Sequence, residues 1–374
     1  MRTTIGLMML SALAMGLSAL ALRLEMAAPG QSAALLAGGW NAPSVATLLF
    51  AVHGTSGLML MALAGAAMGG VAATANGPAG WTSAALGLAA AVVLAIVGVL
   101  QALPPGLQPF TMVPLDALPA ERLAAALGDP ERLSALGRGE WAQIAALTPL
   151  LLGAGALAGA RPGHRWGGRV VQVLSVAALV TLGMQTPAVP MSSAIGILVL
   201  PLLALIATLS MQLADDAVPA APYLWTGSVG MVLGLIVAAT LGTNPGTDPG
   251  TAPGGGAAAA ATVNAMAGTT LLPGLMHLTV WGFALFAVFA ALNRRWSPRL
   301  QEGILWGHAL GLAVLCALAA APLVRNGLDG MPVRRLDPAA SFAAAQRDAA
   351  VWALLLLGWI LAGVIVAWRR RSRP

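Results

Sequence analysis

Stretches of about 20 apolar residues recur along the whole chain, and each is long enough to cross a bilayer as a helix. They fall at about 4–22, 43–73, 82–103, 142–160, 170–185, 191–213, 223–242, 268–292, 303–323 and 350–368. Of the 374 residues, 58% are hydrophobic and only 9% charged, which excludes an ordinary soluble globular protein. The expected fold is an all-α, polytopic membrane helix bundle of about ten transmembrane helices, a single integral membrane domain over 1–374. The first stretch is longer than a usual signal h-region, and Arg23, Leu24 and Glu25 follow it directly, so it reads as a retained helix. Pro201, inside ILVLPLLAL, predicts a kink in the sixth span. The run GAAMGGVAA in the second span has the small residues that let neighbouring helices approach closely.

Two linking stretches stand out. Residues 104–140 carry short amphipathic segments, LPAERLAAAL and DPERLSAL, and read as an extracytoplasmic surface loop lying on the membrane or a partner, or as a solvated linker. The second segment opens with an aspartate cap, a proline at the first turn and a glutamate beside it. Residues 244–261, NPGTDPGTAPGGGAAAAA, are low in complexity and read as a flexible extracytoplasmic loop.

All 19 basic residues are arginines, and their distribution sets the orientation. Ten spans place Arg2, the loop bearing Arg161, Arg165 and Arg169, the loop bearing Arg294, Arg295 and Arg299, and the terminal RRRSR on one side. The positive-inside rule makes that side cytoplasmic, so both termini are cytoplasmic and the chain is a multi-pass protein of a bacterial-type inner (plasma) membrane. Trp40, Trp81, Trp141, Trp166, Trp225, Trp296 and Trp368 fall near predicted helix ends, as an interfacial belt requires. The charge reads as topology rather than nucleic-acid affinity, so no nucleic-acid partner is expected. Cys316, the one cysteine, offers no disulfide, C-x-x-C-H haem attachment or thiolate cluster.

The chemistry therefore rests on four histidines. His277 lies in LLPGLMHLTVWGFAL and His53 in AVHGTSGLMLM, both on spans that enter from the outer side. Each sits 8–11 residues in, which at about 1.5 Å per residue is roughly 12–17 Å below the outer surface. An ionisable ring in hydrocarbon is costly unless paired or ligated. Two histidines at one depth on different helices can clamp a haem iron from opposite faces, although each taken alone also reads as a ring hydrogen-bonded to a neighbouring helix. Arg334 and Arg335 lie at the same outer end, where forked guanidinium groups could meet haem propionates or lipid headgroups. His308, entering from the inner side, reads as a helix-packing residue. His164, in the loop RPGHRWGGR, reads as interfacial.

Several segments, in order, resemble subunit I of the haem-copper oxidases (cytochrome c oxidase subunit I). LALRLEMAAPGQ resembles the end of that family's first helix, AVHGTSGLMLMALAGAAMGG its second, ILVLPLLAL its sixth and GLMHLTVWGFALFAVFAALNRRW its tenth. GLDGMPVRRLD, following Pro322, resembles the family's Gly-Leu-x-Gly-Met-Pro-Arg-Arg-x-x-Asp. The resemblance spans about residues 14–337. It implies that His53 and His277 are the axial ligands of one low-spin haem (b or a), that Arg334 and Arg335 stand at the propionates, and that Arg23 lies at the haem edge. Val333 occupies the family's first arginine position, so the arginine pair is shifted by one.

The departures carry as much meaning. Where the tenth helix of the family has its high-spin haem histidine, this chain has Leu275. The sixth-helix copper histidine and the glutamate and tyrosine after it fall on Ser192, Ala194 and Gly196, and the family's double histidine falls near Thr240 and Leu241. The remaining histidines cannot assemble a high-spin haem and a copper. The reading is a haem-binding, electron-transfer subunit of a respiratory or other redox complex, with no copper and no oxygen reduction of its own. The implied partners are other membrane subunits, membrane lipids and a periplasmic cytochrome or cupredoxin. The alternative is a redox-inert scaffold or assembly subunit of an oxidase complex. A transporter is disfavoured by the scarcity of polar residues within the spans.

Overall fold

The computed structural model describes residues 2–27, 42–76, 78–101, 138–185, 191–215, 220–243, 271–296, 302–328 and 340–369. The long elements are α1 (Arg2–Ala27), α2 (Ala42–Asn76), α3 (Pro78–Gln101), α4 (Arg138–Ala158), α5 (Arg165–Gln185), α6 (Met191–Asp215) and α7 (Ala221–Thr243). Next comes α8, which runs from Leu271–Met276 through a π turn, His277–Trp281, into Gly282–Trp296. α9 (Glu302–Leu328) and α10 (Ala340–Arg369) complete the bundle. Alanine and leucine, which lose little side-chain freedom in a helix, dominate all of them. Each apolar stretch found in the sequence is helical, and no strand occurs among the described residues.

Among the described residues, six helices are long and apolar enough to cross a membrane: α1, α2, α3, α8, α9 and α10. α4, α6 and α7 carry shorter apolar stretches of 10–17 residues. The amphipathic segments within 104–137 and the glycine-rich stretch 244–261 lie outside the described residues. At the far end of the first of these, α4 begins at Arg138, so the last residues assigned to the 104–140 loop are helical. α6 continues through Pro201 as one helix, as α4 does through Pro149 and α9 through Pro322.

Burial is uneven, and the unevenness locates the centre. The membrane-length windows of α2 and α8 are each 78% buried, whereas that of α10 is 11% buried. α2 packs against α1, α3, α4 and α8, and α8 in turn against α7 and α9. α3 and α5, in contrast, turn apolar side chains outward. Val170, Val173, Val176 and Val180 line the exposed side of α5, and Val92, Val93, Ile96 and Val99 are exposed on α3. An outward face of this kind suits a hydrocarbon solvent, in which exposed valine carries no penalty.

The small-residue run in α2 does bring helices into close approach. A Cβ on Gly65 would lie 2.2 Å from the Pro149 carbonyl oxygen of α4, and one on Gly69 would lie 2.8 Å from the Gly80 carbonyl of α3. At this three-helix seam the buried Ser83 hydroxyl is shared between the Gly65 carbonyl (3.3 Å) and the Pro149 carbonyl (3.1 Å).

Two expectations need correction. His164 is buried, in a tight turn (Pro162–His164) between α4 and α5, while the adjacent Arg165 and Trp166 are exposed. The spans are also less poor in polar groups than the sequence suggested: Gln212, Asn293, Asn326 and Gln346 are all buried. Two of these amides are spent on backbone, Asn293 donating to the Phe289 carbonyl and Gln212 to that of Ala158.

Candidate functional site

α2 and α8 bring His53 and His277, both half-buried, together. Their ring centroids are 5.6 Å apart and the ring planes differ by 12°. Trp281, one turn beyond His277, completes a triangle of near-parallel rings, 5.6 Å from His53 and 6.2 Å from His277.

Three local features build this triangle. The first is the slot at Gly57, one turn beyond His53 on α2. A Cβ there would fall 1.1 Å from the Trp281 ring, so the absent side chain is what admits the indole. The second is the π turn. The Gly282 amide donates to the His277 carbonyl five residues back, and a Cβ on Gly282 would stand 3.0 Å from that same oxygen. Widened turns of this type are rare and occur often at functional sites. Here the turn sets His277 and Trp281 on the side of α8 that faces α2. The third is the carbonyl of Met15 on α1, which accepts a hydrogen bond from His53 Nδ1 at 3.0 Å and one from the Ser18 hydroxyl at 3.0 Å.

The Met15 contact decides the chemistry of His53. A carbonyl can only accept, so Nδ1 carries the proton and Nε2 of the neutral ring holds the lone pair. This is the usual preparation of a metal-ligating histidine, whose second nitrogen is held by a carbonyl or carboxylate.

No model of a known protein family matches this chain, and no curated protein matches it either. The site must therefore be judged on its own donors. The two rings are stacked with centroids 5.6 Å apart, close enough for both side chains to serve one group held between α2 and α8. A Cβ on Gly54, beside His53, would meet nothing within 4 Å. The donor set and the glycines beside it fit a planar haem, with one condition. The indole of Trp281 fills the slot at Gly57, and a macrocycle there would take its place.

The arginines divide. Arg23, in the last turns of α1, is 7% exposed, and its Nη2 donates to the Ala319 carbonyl of α9 at 3.3 Å. That carbonyl neighbours the one that Pro322 leaves without its helical donor. Nη1 of Arg23 is buried with no hydrogen-bond partner. Arg334 and Arg335 lie outside the described residues. Leu275, two residues before His277, is 2% exposed and presents only hydrocarbon.

Sequence reasoning missed Trp281, Gly57, Met15 and the π turn. A tryptophan four residues after an intramembrane histidine and a glycine four after the other were visible signals, since i, i+4 positions share a helix face. The Met15 carbonyl had no signal, because every residue has one.

Proposed function

We propose that this chain is a membrane electron-transfer subunit that binds one low-spin haem (b or a) between His53 and His277. The observation that supports it most is the ligand pair: two near-parallel imidazoles on α2 and α8, with the proton of His53 fixed on Nδ1. His53 and His277 would hold the haem, which would supply one-electron exchange when bound. The chain's own residues hold it. Met15 orients His53, the α8 π turn orients His277, and Arg23 adds a buried positive charge near one end of the bundle.

On this reading the chain has the ten-span arrangement of haem-copper oxidase subunit I, with cytoplasmic termini in a bacterial-type inner membrane. It resembles that family in its electron-entry haem and departs from it in its oxygen chemistry, Leu275 standing where a second haem ligand would be. Its partners are other membrane subunits of a redox complex and a periplasmic cytochrome or cupredoxin.

The test is an optical spectrum of the purified protein with haem extraction. A reduced-state α-band is expected at about one haem per chain, lost in both His53→Ala and His277→Ala. Absence of extractable haem from a correctly inserted, well-folded protein would instead favour a redox-inert scaffold.

A further inference from the structure

α8 is seated on α7 in two glycine notches. A Cβ on Gly227 would stand 2.7 Å from the Cβ of Phe286, and one on Gly234 would stand 2.6 Å from Cγ2 of Thr279. The glycines are seven residues apart (234 minus 227), and so are the residues they receive (286 minus 279), in reverse order. Seven residues are close to two helical turns, so both contacts lie on one seam and set the register of two antiparallel helices.

The contacts differ in where they fall on α8. Phe286 belongs to its regular second half, whereas Thr279 is the middle residue of the π turn that begins at His277 and ends at Trp281. That turn packs against α7 and α9, and Thr279 is its buried residue. Both branches of the threonine side chain are engaged. The hydroxyl donates to the Leu275 carbonyl at 2.9 Å. Ser175, Thr208 and Ser228 make the same bond back to a carbonyl of their own helix, so the hydroxyl is not what sets Thr279 apart. The methyl group is, because it fills a notch that only a glycine at 234 leaves open.

A π turn holds one residue more than an α turn needs. Resolving it would rotate the preceding segment by about 100°, the angle of one residue. His277 stands at the start of that turn, so the rotation would swing its ring away from His53, on which it is now stacked at 5.6 Å. We infer that Thr279 and Gly234 are positioning residues: the methyl group of one, set in the notch of the other, holds the π turn against α7 and keeps His277 against His53. The purpose of that placement rests on the haem reading, whereas the placement itself does not.

The full-length protein in lipid nanodiscs, with matched substitutions in the two notches, tests it. Gly234→Ala drives a methyl group into Thr279, and Gly227→Ala drives one into Phe286. Hydrogen exchange in the peptide covering 271–285 should rise severalfold in Gly234→Ala and little in Gly227→Ala. In haem-loaded protein the EPR g-anisotropy, which follows the angle between the two imidazole planes, should shift only in Gly234→Ala. Thr279→Ser keeps the hydroxyl and empties the notch, so it too should speed exchange. Combined with Gly234→Ala it moves the methyl group from one helix to the other, and both readouts should return toward wild type. Thr279→Val, which keeps the methyl group, should resemble wild type. If Gly234→Ala alone does not insert, Thr279→Ser and the double variant still decide, through the rise and the return. Equal effects of the two alanine substitutions on the 271–285 peptide, or a double variant no better than its parents, would overturn the inference. Wild-type protein that holds no haem would instead remove the haem reading, with hydrogen exchange still deciding the placement.

Discussion

His53 and His277 are 224 residues apart in sequence (277 minus 53), yet their rings are 5.6 Å apart and within 12° of parallel. The relationship depends on the packing of α2 against α8 and on a hydrogen bond from His53 to α1. The proposed ligation and the packing both rest on His53, and they can be separated.

His53→Asn retains a short side chain able to donate to the Met15 carbonyl but offers iron no imidazole. Thermal unfolding in detergent should shift little from wild type, within about 1 kcal/mol for one retained or weakened hydrogen bond, while haem content falls to background. Equal haem content in the two proteins would remove His53 as a ligand.

Gly57 and Trp281 make the second prediction. Gly57→Ala places a methyl group where the indole now sits, 1.1 Å from a ring carbon. Overpacking of this kind costs about 1–3 kcal/mol, and Trp281→Ala in the same chain should restore most of it. A double-mutant cycle on unfolding free energy measures the coupling, and additive losses would mean that the two residues do not share the slot.

The glycine seam gives a matched pair. Gly65→Ala pushes a methyl group into the Pro149 carbonyl, whereas Gly54→Ala meets open space. The first should destabilise by about 1–3 kcal/mol. The second should be neutral or stabilising by about 0.5–1 kcal/mol through helix propensity. Ser83→Ala, at the same seam, should cost about 0.6 kcal/mol, the mean for interhelical hydrogen bonds in a membrane protein. Unfolding in mixed detergent micelles reads all three.

Arg23 supplies a prediction specific to the redox reading. A buried cation near a haem favours the reduced, less positive state, so Arg23→Met should lower the midpoint potential, on the order of tens of millivolts. Haem content should be retained. A potentiometric titration that finds no change would place Arg23 in a purely structural role, joining α1 to the Ala319 carbonyl of α9.

Topology can be tested separately. With Cys316 replaced by alanine, single cysteines introduced at Thr3 and Ser372 should both be labelled by a membrane-impermeant maleimide in inside-out vesicles and protected in right-side-out ones. Labelling of only one terminus in each preparation would mean an odd number of spans.

Much of the bundle was legible because its cause is local. An apolar run of membrane length must form a helix wherever it goes, since no water is present to bond its backbone, and each such stretch is helical. The small residues at Gly65 and Gly69 announced close packing, and the depth count put His53 and His277 on one level. His164 does lie in the turn between α4 and α5, but its burial beside the exposed Arg165 and Trp166 had no mark in a segment with the composition of a surface loop.

What the sequence by itself determined, then, is the class of solvent, the helical elements and the few side chains able to carry chemistry. Which neighbours each helix packs against was decided by tertiary structure: the windows of α2 and α10 both pass as membrane spans, yet one is 78% and the other 11% buried. The same holds for the state of His53. Its proton sits on Nδ1 because a backbone carbonyl of α1 lies 3.0 Å away, and a carbonyl common to every residue leaves no mark in a sequence. The π turn and the indole over Gly57 belong there too, since both arise where α8 packs against its neighbours and neither is fixed by the residues of α8 alone.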